Sequence, residues 1–312
     1  GDIVGFWRSY AILGAVKLGV IEALPATESE VEEVCGLRNG AGRRLLRSLG
    51  ELGLVEKLDD TYCLSSKGSI LTAEHATSLK GAVIEYVEKL LPNWEQLEAS
   101  FSSFAPWSPP NVFEEVGADE ERVCNSTRML ASYAVHDYEK IPEALGLNGG
   151  EVVIDAGGGS GVLSKLLLNE FSDITVQLLE RPEVAERSVT EGSFKGRFSV
   201  HPTDFFEPWR VKGDVVLLAR VLHDWDDEAA LIILKHAHDA LRSGGKIVIV
   251  EMTLEEESFR WGLCDLHLYV VNGGRERTLK EFKSLMNKTG FSFREKIDLD
   301  SVPSVLLGVR ND

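Results

Sequence analysis

An apolar run that ends in an acid and breaks at once into glycines, Val152-Val153-Ile154-Asp155-Ala156-Gly157-Gly158-Gly159-Ser160-Gly161, constrains this chain more than any other stretch. It reads as a strand, a tight turn and the start of a helix. Glycine tolerates positive φ and has no Cβ, so backbone can approach a nucleotide-like ligand, and a helix beginning near Val162 points unpaired N–H groups at it. The spacing is G-x-G-x-G, not the G-x-G-x-x-G of a dinucleotide site, whose third glycine would fall at Val162. The next strand, expected over Ile174 to Leu179, ends in Glu180, where an acid can accept hydrogen bonds from a ribose diol. A glycine turn alone also suits an ordinary tight loop; the acid at the neighbouring strand end favours a ligand site.

The 312 residues, 44% of them hydrophobic, suffice for two domains with a sizeable core. A formal net charge of -17 argues against a polyanion such as nucleic acid, or an anionic membrane, as the main partner, and suits a cationic or neutral small ligand. Cys35, Cys63, Cys124 and Cys264 lie far apart with no C-x-x-C pair, so neither a zinc site nor a disulfide framework is indicated, and a reducing cytoplasm is expected. No run approaches the ~18 apolar residues of a membrane span. No signal peptide is visible, although the abrupt opening Gly1-Asp2-Ile3 leaves the native N-terminus open.

Along the chain, apolar spacing predicts a helix from Phe6 to Leu24 stopped by Pro25, a second over Glu28 to Cys35 and a third over Gly42 to Leu52. Val55 to Leu58 and Thr61 to Leu64 flank Asp59-Asp60 as a hairpin, completing a winged-helix pattern. That pattern suits either a DNA reader using Arg43, Arg44 and Arg47 or a scaffold for dimer contacts and substrate enclosure, and the acidic charge favours the scaffold. Helices over about Ser78 to Phe101 precede Pro106-Trp107-Ser108-Pro109-Pro110, a rigid connector that places the domain boundary between residues 105 and 106. A helix from Glu120 to Leu145 then leads into alternating elements typical of an α/β, doubly wound parallel sheet. Its strands are expected at Val152 to Asp155, Ile174 to Leu179, Phe198 to Pro202, Asp214 to Ala219 and Lys246 to Glu251. A helix over Glu228 to Leu241 is stopped by Gly244-Gly245, and Thr278-x-x-Glu281 opens another as a capping box. Ser292 to Asp298 and Ser304 to Val309 are close enough to pair antiparallel.

In an open parallel sheet, ligands bind at the carboxyl ends of the strands. Asp155, Glu180 and Asp204 end or follow the first three strands, Arg220 and His223 follow the fourth, and Glu251 ends the fifth. Such acids can bond ribose hydroxyls and an exocyclic amine, and their charge tolerates a sulfonium where a phosphate would be disfavoured. For each acid singly, helix capping or solvation is an equal alternative. His223, with an ordinary pKa of about 6.5, can take a proton from a phenol, whose pKa is about 10, or else simply bond backbone in its loop. Glu251 and Glu276 are the carboxylates that can orient its ring; the alternative for either is an ion pair with Arg275 or Arg277. His75, His136, His201, His236 and His238 read as structural, the last two lying at i, i+2 on different helix faces.

Taken together, Val153 to Gly161, Asp204-Phe205-Phe206, Ala219 to Trp225 and Gly274-Arg275-Glu276-Arg277-Thr278 resemble the small-molecule O-methyltransferases that include caffeic acid and acetylserotonin O-methyltransferases and bacterial antibiotic-pathway relatives. The resemblance covers nearly the whole chain. It implies a Rossmann-like methyltransferase sheet, S-adenosyl-L-methionine as donor, a small-molecule acceptor, a homodimer made through an N-terminal winged-helix domain, and no metal. It further implies donor contacts from Asp155, Gly157, Gly159, Glu180, Asp204, Phe205 and Arg220, with His223 as base braced by Glu251 and Glu276. On the helix that covers the pocket in such enzymes, Met129, Ser132 and Tyr133 fall toward the donor tail or the acceptor, with Tyr133 assigned to the donor and Met129 to the acceptor, ordinary core being the alternative for both, and Asp224, His267 and Val271 line the acceptor side. Glu180 stands where the family usually has aspartate, and Arg220 follows the acetylserotonin-type pattern where plant members carry lysine one place earlier. Carbon, nitrogen or sulfur acceptors, or a winged-helix regulator that binds the nucleoside as a signal, are the rival readings.

Overall fold

The structure, a computed structural model, describes residues 2–188, 194 and 196–312. The chain forms two compact units, one comprising Gly1–Pro92 with Glu120–Ser132, the other Asn93–Asp119 with Tyr133–Asp312. These units do not part at the single cut expected between residues 105 and 106. The larger, N-terminal part of the long helix Glu120–Asp137, up to Ser132, groups with the N-terminal residues because it packs there: Ser132 Oγ donates to the Ser78 carbonyl at 2.9 Å, and Gly81 lies so near Asn125 that a Cβ would stand 2.7 Å from its carbonyl oxygen.

The first unit opens with helices Phe6–Lys17 and Val20–Ala23. The single helix expected over 6–24 is interrupted because Gly19 takes φ 77°, a left-handed conformation that ends one helix and starts the next. Strand β1 (Ala26–Thr27) leads into helix Glu28–Val34, whose capping box joins Thr27 and Glu30, and helix Ala41–Glu51 follows. Strands β2 (Val55–Leu58) and β3 (Thr61–Leu64) form the expected hairpin, and β1 adds to β3, all antiparallel. Val16, Val20, Ile21, Val31, Leu46, Leu49 and Leu54 make its core. The segment expected as long helices over 78–101 is broken into Lys80–Ile84, a π-turn stretch Glu85–Leu90, a 3-10 stretch Leu91–Gln96 and Leu97–Phe101. Pro92, which lacks an N–H, interrupts any regular ladder there.

The second unit is built on strands β4 (Val152–Ala156), β5 (Thr175–Glu180), β6 (Phe198–Pro202), β7 (Gly213–Ala219) and β8 (Leu241–Glu251), the short parallel pair β9 (Thr253–Leu254) and β10 (Arg277–Thr278), and β11 (Phe291–Asp298) and β12 (Ser304–Arg310). The seven-stranded sheet runs β11-β12-β8-β7-β4-β5-β6; β4 to β8 are mutually parallel, and β12 is antiparallel to both neighbours. The order reverses at β4, which has β5 on one side and β7 on the other, so the crevice for a ligand opens above the glycine turn.

Alternate residues along each strand enter opposite cores. Ile154, Val216, Leu218, Ile247, Ile249 and Leu306 pack with helices Asp227–Ala240 and Leu279–Lys288, whereas Val153, Val215, Leu217, Val248, Val250 and Val305 pack with helices Ile141–Leu145 and Val162–Glu170. Coverage on both faces explains why these strands read as continuous apolar runs. The helix expected over 228–241 ends at Ala240 rather than at the glycines, because Leu241 already turns extended and starts β8. Among the described residues no helix is long and apolar enough to cross a membrane.

Candidate active site

The glycine turn is tied down on both sides. Gly157 has φ 77°, and a Cβ there would stand 2.6 Å from Val221 Cγ2 and 3.6 Å from the Phe205 ring, so a side chain is excluded twice over. Gly159 donates its N–H to Glu180 Oε2 at 2.9 Å, and its carbonyl accepts from Ser188 Oγ at 2.9 Å. The other Glu180 oxygen accepts from the Arg181 N–H at 2.8 Å. Beneath the turn, Asp155 is fully buried and accepts from Ser164 Oγ at 2.6 Å. Burial pushes its carboxyl up to about 6 and also raises that of Glu180.

At the end of β7 the chain reverses through Arg220, which holds a left-handed φ of 58°, a conformation that costs a non-glycine residue about 1 kcal/mol or more. The turn directs the N–H groups of Val221 and His223 at Glu251 Oε1, 3.1 and 3.3 Å away. The buried imidazole of His223 lies with Nδ1 3.3 Å from Glu276 Oε1 and 3.7 Å from Glu251 Oε2, and with Nε2 3.7 Å from Asp224 Oδ1. Three carboxylates from three elements thus surround one imidazole. The ion-pair alternative for Glu251 and Glu276 does not hold: Arg277 binds Asp227, and Arg275 binds Glu281.

The loop carrying the histidine is clamped by the segment 272–277. Arg277, fully buried, donates Nη1 to the Leu222 carbonyl and Nη2 to the Trp225 carbonyl, each at 2.7 Å, and Nε to Asp227 at 2.9 Å. Asn272 donates to Asp224 Oδ1 at 2.9 Å, and the Arg275 N–H donates to the His223 carbonyl at 2.8 Å. Gly274 sits so close beneath that a Cβ would lie 2.3 Å from that carbonyl oxygen. Glu276 is fixed in turn by Asp265 Oδ1, which accepts its backbone N–H at 2.8 Å, and by the Cys264 thiol, 3.4 Å from Oε1.

Electrostatics divide these groups. For His223, burial disfavours the imidazolium, but Glu251, Asp224 and the Glu276 hydrogen bond outweigh it and hold the pKa above the usual histidine range. For Glu276, burial pushes up while the bond from His223, its charge, Arg220 and Cys264 win and hold the carboxyl low. Burial dominates at Glu251 and Asp224, which are raised. One ligating atom from each of His223, Glu251 and Glu276 lies within 4.8 Å of the others, a spacing a cation would also accept; here Nδ1 and Oε1 already serve each other as donor and acceptor. Buried polar atoms without a hydrogen-bond partner cluster at this rim: Asp155 Oδ1, Arg220 Nη1, Glu251 Oε2 and Glu276 Oε2. A bare glycine turn beside unpartnered acidic oxygens fits a cationic nucleoside.

The remaining candidates are less tightly grouped. Phe205 is buried against Gly157, but Asp204 is exposed and its Oδ1 accepts the N–H of Phe206 within its own loop. Tyr133 is about one-third exposed. Met129 and Ser132 are buried in the first unit, and Val271 is buried on helix Gly262–Asn272. His267, on the same helix, stacks on Trp94 and accepts its indole N–H on Nδ1 at 3.2 Å. Burial lowers its pKa. Among the histidines read as structural, His201 meets Ser199, His236 the Phe206 carbonyl, and His238 the Phe291 ring. Sequence reasoning passed over Arg277 as a clamp, read Cys264 only as an isolated thiol, and passed over Asn272, Asp265, Ser164 and Ser188 altogether. Arg277 lay inside a motif already singled out, but its partners Asp227, Leu222 and Trp225 are 50 to 55 positions away, so nothing local hinted at full burial.

Residues 94–292 match the O-methyltransferase domain family. Over 98% of the chain and 92% of the relative, the sequence is 29% identical to the mitomycin biosynthesis 6-O-methyltransferase of Streptomyces lavendulae. The structure of the mitomycin 7-O-methyltransferase MmcR superposes with a TM-score of 0.87 at 28% identity, covering 100% of this chain and 96% of that one. That of NcsB1, an O-methyltransferase from neocarzinostatin biosynthesis in complex with S-adenosylmethionine and 2-hydroxy-5-methyl naphthoic acid, superposes with a TM-score of 0.82 at 25% identity, covering 97% and 95%. Fold and rim together define a nucleoside-dependent group-transfer enzyme of the α/β class. The chain belongs to the O-methyltransferase domain family, and it is an S-adenosylmethionine-dependent O-methyltransferase of small molecules.

Proposed function

We propose that the chain methylates a phenolic hydroxyl of a small aromatic acceptor, with His223 as general base. The observation that carries this reading is the buried Nδ1 contact of His223 with Glu276 at 3.3 Å: with the ring proton held on Nδ1, the lone pair is left on Nε2 for an acceptor hydroxyl. Glu251 bonds the backbone on either side of Leu222 and keeps the ring between the two carboxylates. The donor supplies an electrophilic methyl on a sulfonium. Gly157 and Gly159 give it backbone access, Glu180 faces its ribose, Phe205 its base, and Arg220 and Asp155 its tail; Tyr133 closes on the same side, with Asp204 at the rim. Asp224, His267 and Val271 would line the acceptor side. Nε2 of His223 accepts the hydroxyl proton as the oxygen attacks, and the sulfonium charge is neutralised as the C–S bond breaks.

In the same reading the N-terminal helices and hairpin are a winged-helix dimerisation unit, followed by the donor-binding unit. Ile3, Phe6, Trp7 and Tyr10 leave one apolar face exposed, which a second copy of the chain would cover. Four free thiols suit a reducing cytoplasm. The test is methyl-labelled donor with a panel of hydroxylated naphthoates, benzoates and quinols. Product carrying an aryl methyl ether, with His223→Ala nearly inactive yet still binding S-adenosylhomocysteine by calorimetry, supports the reading. Methyl on carbon or nitrogen, or unimpaired turnover by the variant, overturns it. Light scattering at micromolar concentration tests the dimer.

A further inference from the structure

We propose that Cys264 is a positioning residue for the reaction: its thiol donates to the same Glu276 oxygen that receives Nδ1–H of His223, and so sets how strongly that carboxylate holds the imidazole. This rests on His223 being the base, but its geometry stands independently. Cys264 lies in the first turn of helix Gly262–Asn272, with Sγ 3.4 Å from Glu276 Oε1. Its neighbour Asp265 accepts the Glu276 backbone N–H at 2.8 Å, so two consecutive residues grip both ends of one glutamate. Oε1 therefore has two donors while Oε2 has none.

A thiol shares electron density from the carboxylate with the imidazole, and a carboxylate oxygen with two donors is a weaker acceptor for each. The sulfur is kept as S–H, not thiolate: burial and then the nearby Glu276 charge push Cys264 up to about 11. That makes it a dependable donor at neutral pH and a poor nucleophile. The other groups facing the imidazole are Glu251 from β8, Asp224 from its own loop and Arg220 from the end of β7. Tyr138 and Asp265 stand behind them; Arg220 also hydrogen-bonds the Cys264 side chain, and its charge is the same in the native chain and in both variants at position 264.

The test needs no acceptor. In protein labelled at histidine ring carbons, the His223 resonance is assigned by its loss in His223→Gln, and its titration is followed in wild type, Cys264→Ala and Cys264→Ser. Alanine removes a donor from Glu276, so the His223 midpoint should rise by about half a pH unit, the size of one weak hydrogen bond. Serine, a stronger donor, should return it to the wild-type value or below. With any acceptor that turns over, the acid limb of kcat should move in the same order while KM stays within about twofold. An alanine midpoint equal to wild type, or a serine midpoint as high as that of alanine, overturns the proposal. Should the alanine chain not fold, serine decides alone: a midpoint above wild type overturns it. Failure of the base assignment looks different, since the titrations would shift as described while kcat ignored them.

Discussion

Arg277 donates to the carbonyl oxygen of Leu222, 2.7 Å away, from a guanidinium with no exposure to solvent. The residue after Leu222 is the histidine, so the clamp bears directly on where that ring stands. A buried guanidinium is stabilising only while its oxygen partners remain, and removing it strands the Leu222 and Trp225 carbonyls, while the half-exposed Asp227 returns to solvent. Arg277→Met should lower unfolding free energy by about 2–5 kcal/mol, from two carbonyls left without a donor, read by urea denaturation. Arg277→Lys should recover only part of this, because an ammonium cannot match the fork.

The pH profile should report the imidazole. A base must be neutral at Nε2, so turnover is lost as pH falls through the His223 pKa, and that pKa is raised above the usual 6.5. The acid limb of kcat is therefore expected above 6.5. Glu276→Gln removes a negative partner and should carry the limb to lower pH while reducing the plateau about 10²-fold. A limb below 6.5 in the native enzyme would contradict the raised imidazole.

His223→Ala should reduce kcat by about 10²–10⁴-fold with the affinity for S-adenosylhomocysteine changed less than twofold. Isothermal titration beside initial rates separates the two. Equal loss of both would make the histidine a structural element of the rim.

Asp155 should make the ligand-free protein less stable at neutral pH. Its folded pKa, about 6, lies above the unfolded value near 3.8, so its share of stability is fully present below the unfolded value and is lost as pH rises through about 6. Asp155→Asn retains an oxygen for Ser164 and should gain about 3 kcal/mol relative to wild type at pH 8, and nothing at pH 3.5. Melting curves at the two pH values check it. The same variant should bind the sulfonium donor more weakly.

Gly157→Ala should abolish detectable donor binding without unfolding the chain, since its Cβ strikes Val221 in the cleft wall and its φ is left-handed. A donor affinity within threefold of native would mean that the turn does not carry the nucleoside.

The sheet was largely legible because it is covered on both faces. Phe198–Pro202 and both hairpin strands match residue for residue, and the Thr278–Glu281 capping box stands as read. Antiparallel pairing of β11 and β12 was legible from their proximity in sequence; the place of β12 inside the sheet was not, because register with β8 depends on neighbours some 60 residues away. Helix boundaries failed where a glycine or proline bent the chain without stopping the apolar period, at Gly19 and Pro92. The rim residues could be picked out because strand ends are a fixed place for ligands. Their supports could not: Asn272 and Arg277 meet the histidine loop across 48 to 55 positions, Cys264 meets Glu276 across 12, and nothing local marks the guanidinium as buried or the thiol as a partner of the glutamate.

Because β12 lies between β8 and β11, the strand made later during biosynthesis is an interior plank, while the one made before it is the border. Until β12 emerges, β8 presents Ile247-Val248-Ile249-Val250 along an open flank, and β11 has nothing to dock on. A nascent chain of this protein therefore passes through a sticky interval between the emergence of β8 and that of β12, which a chaperone would be well placed to cover.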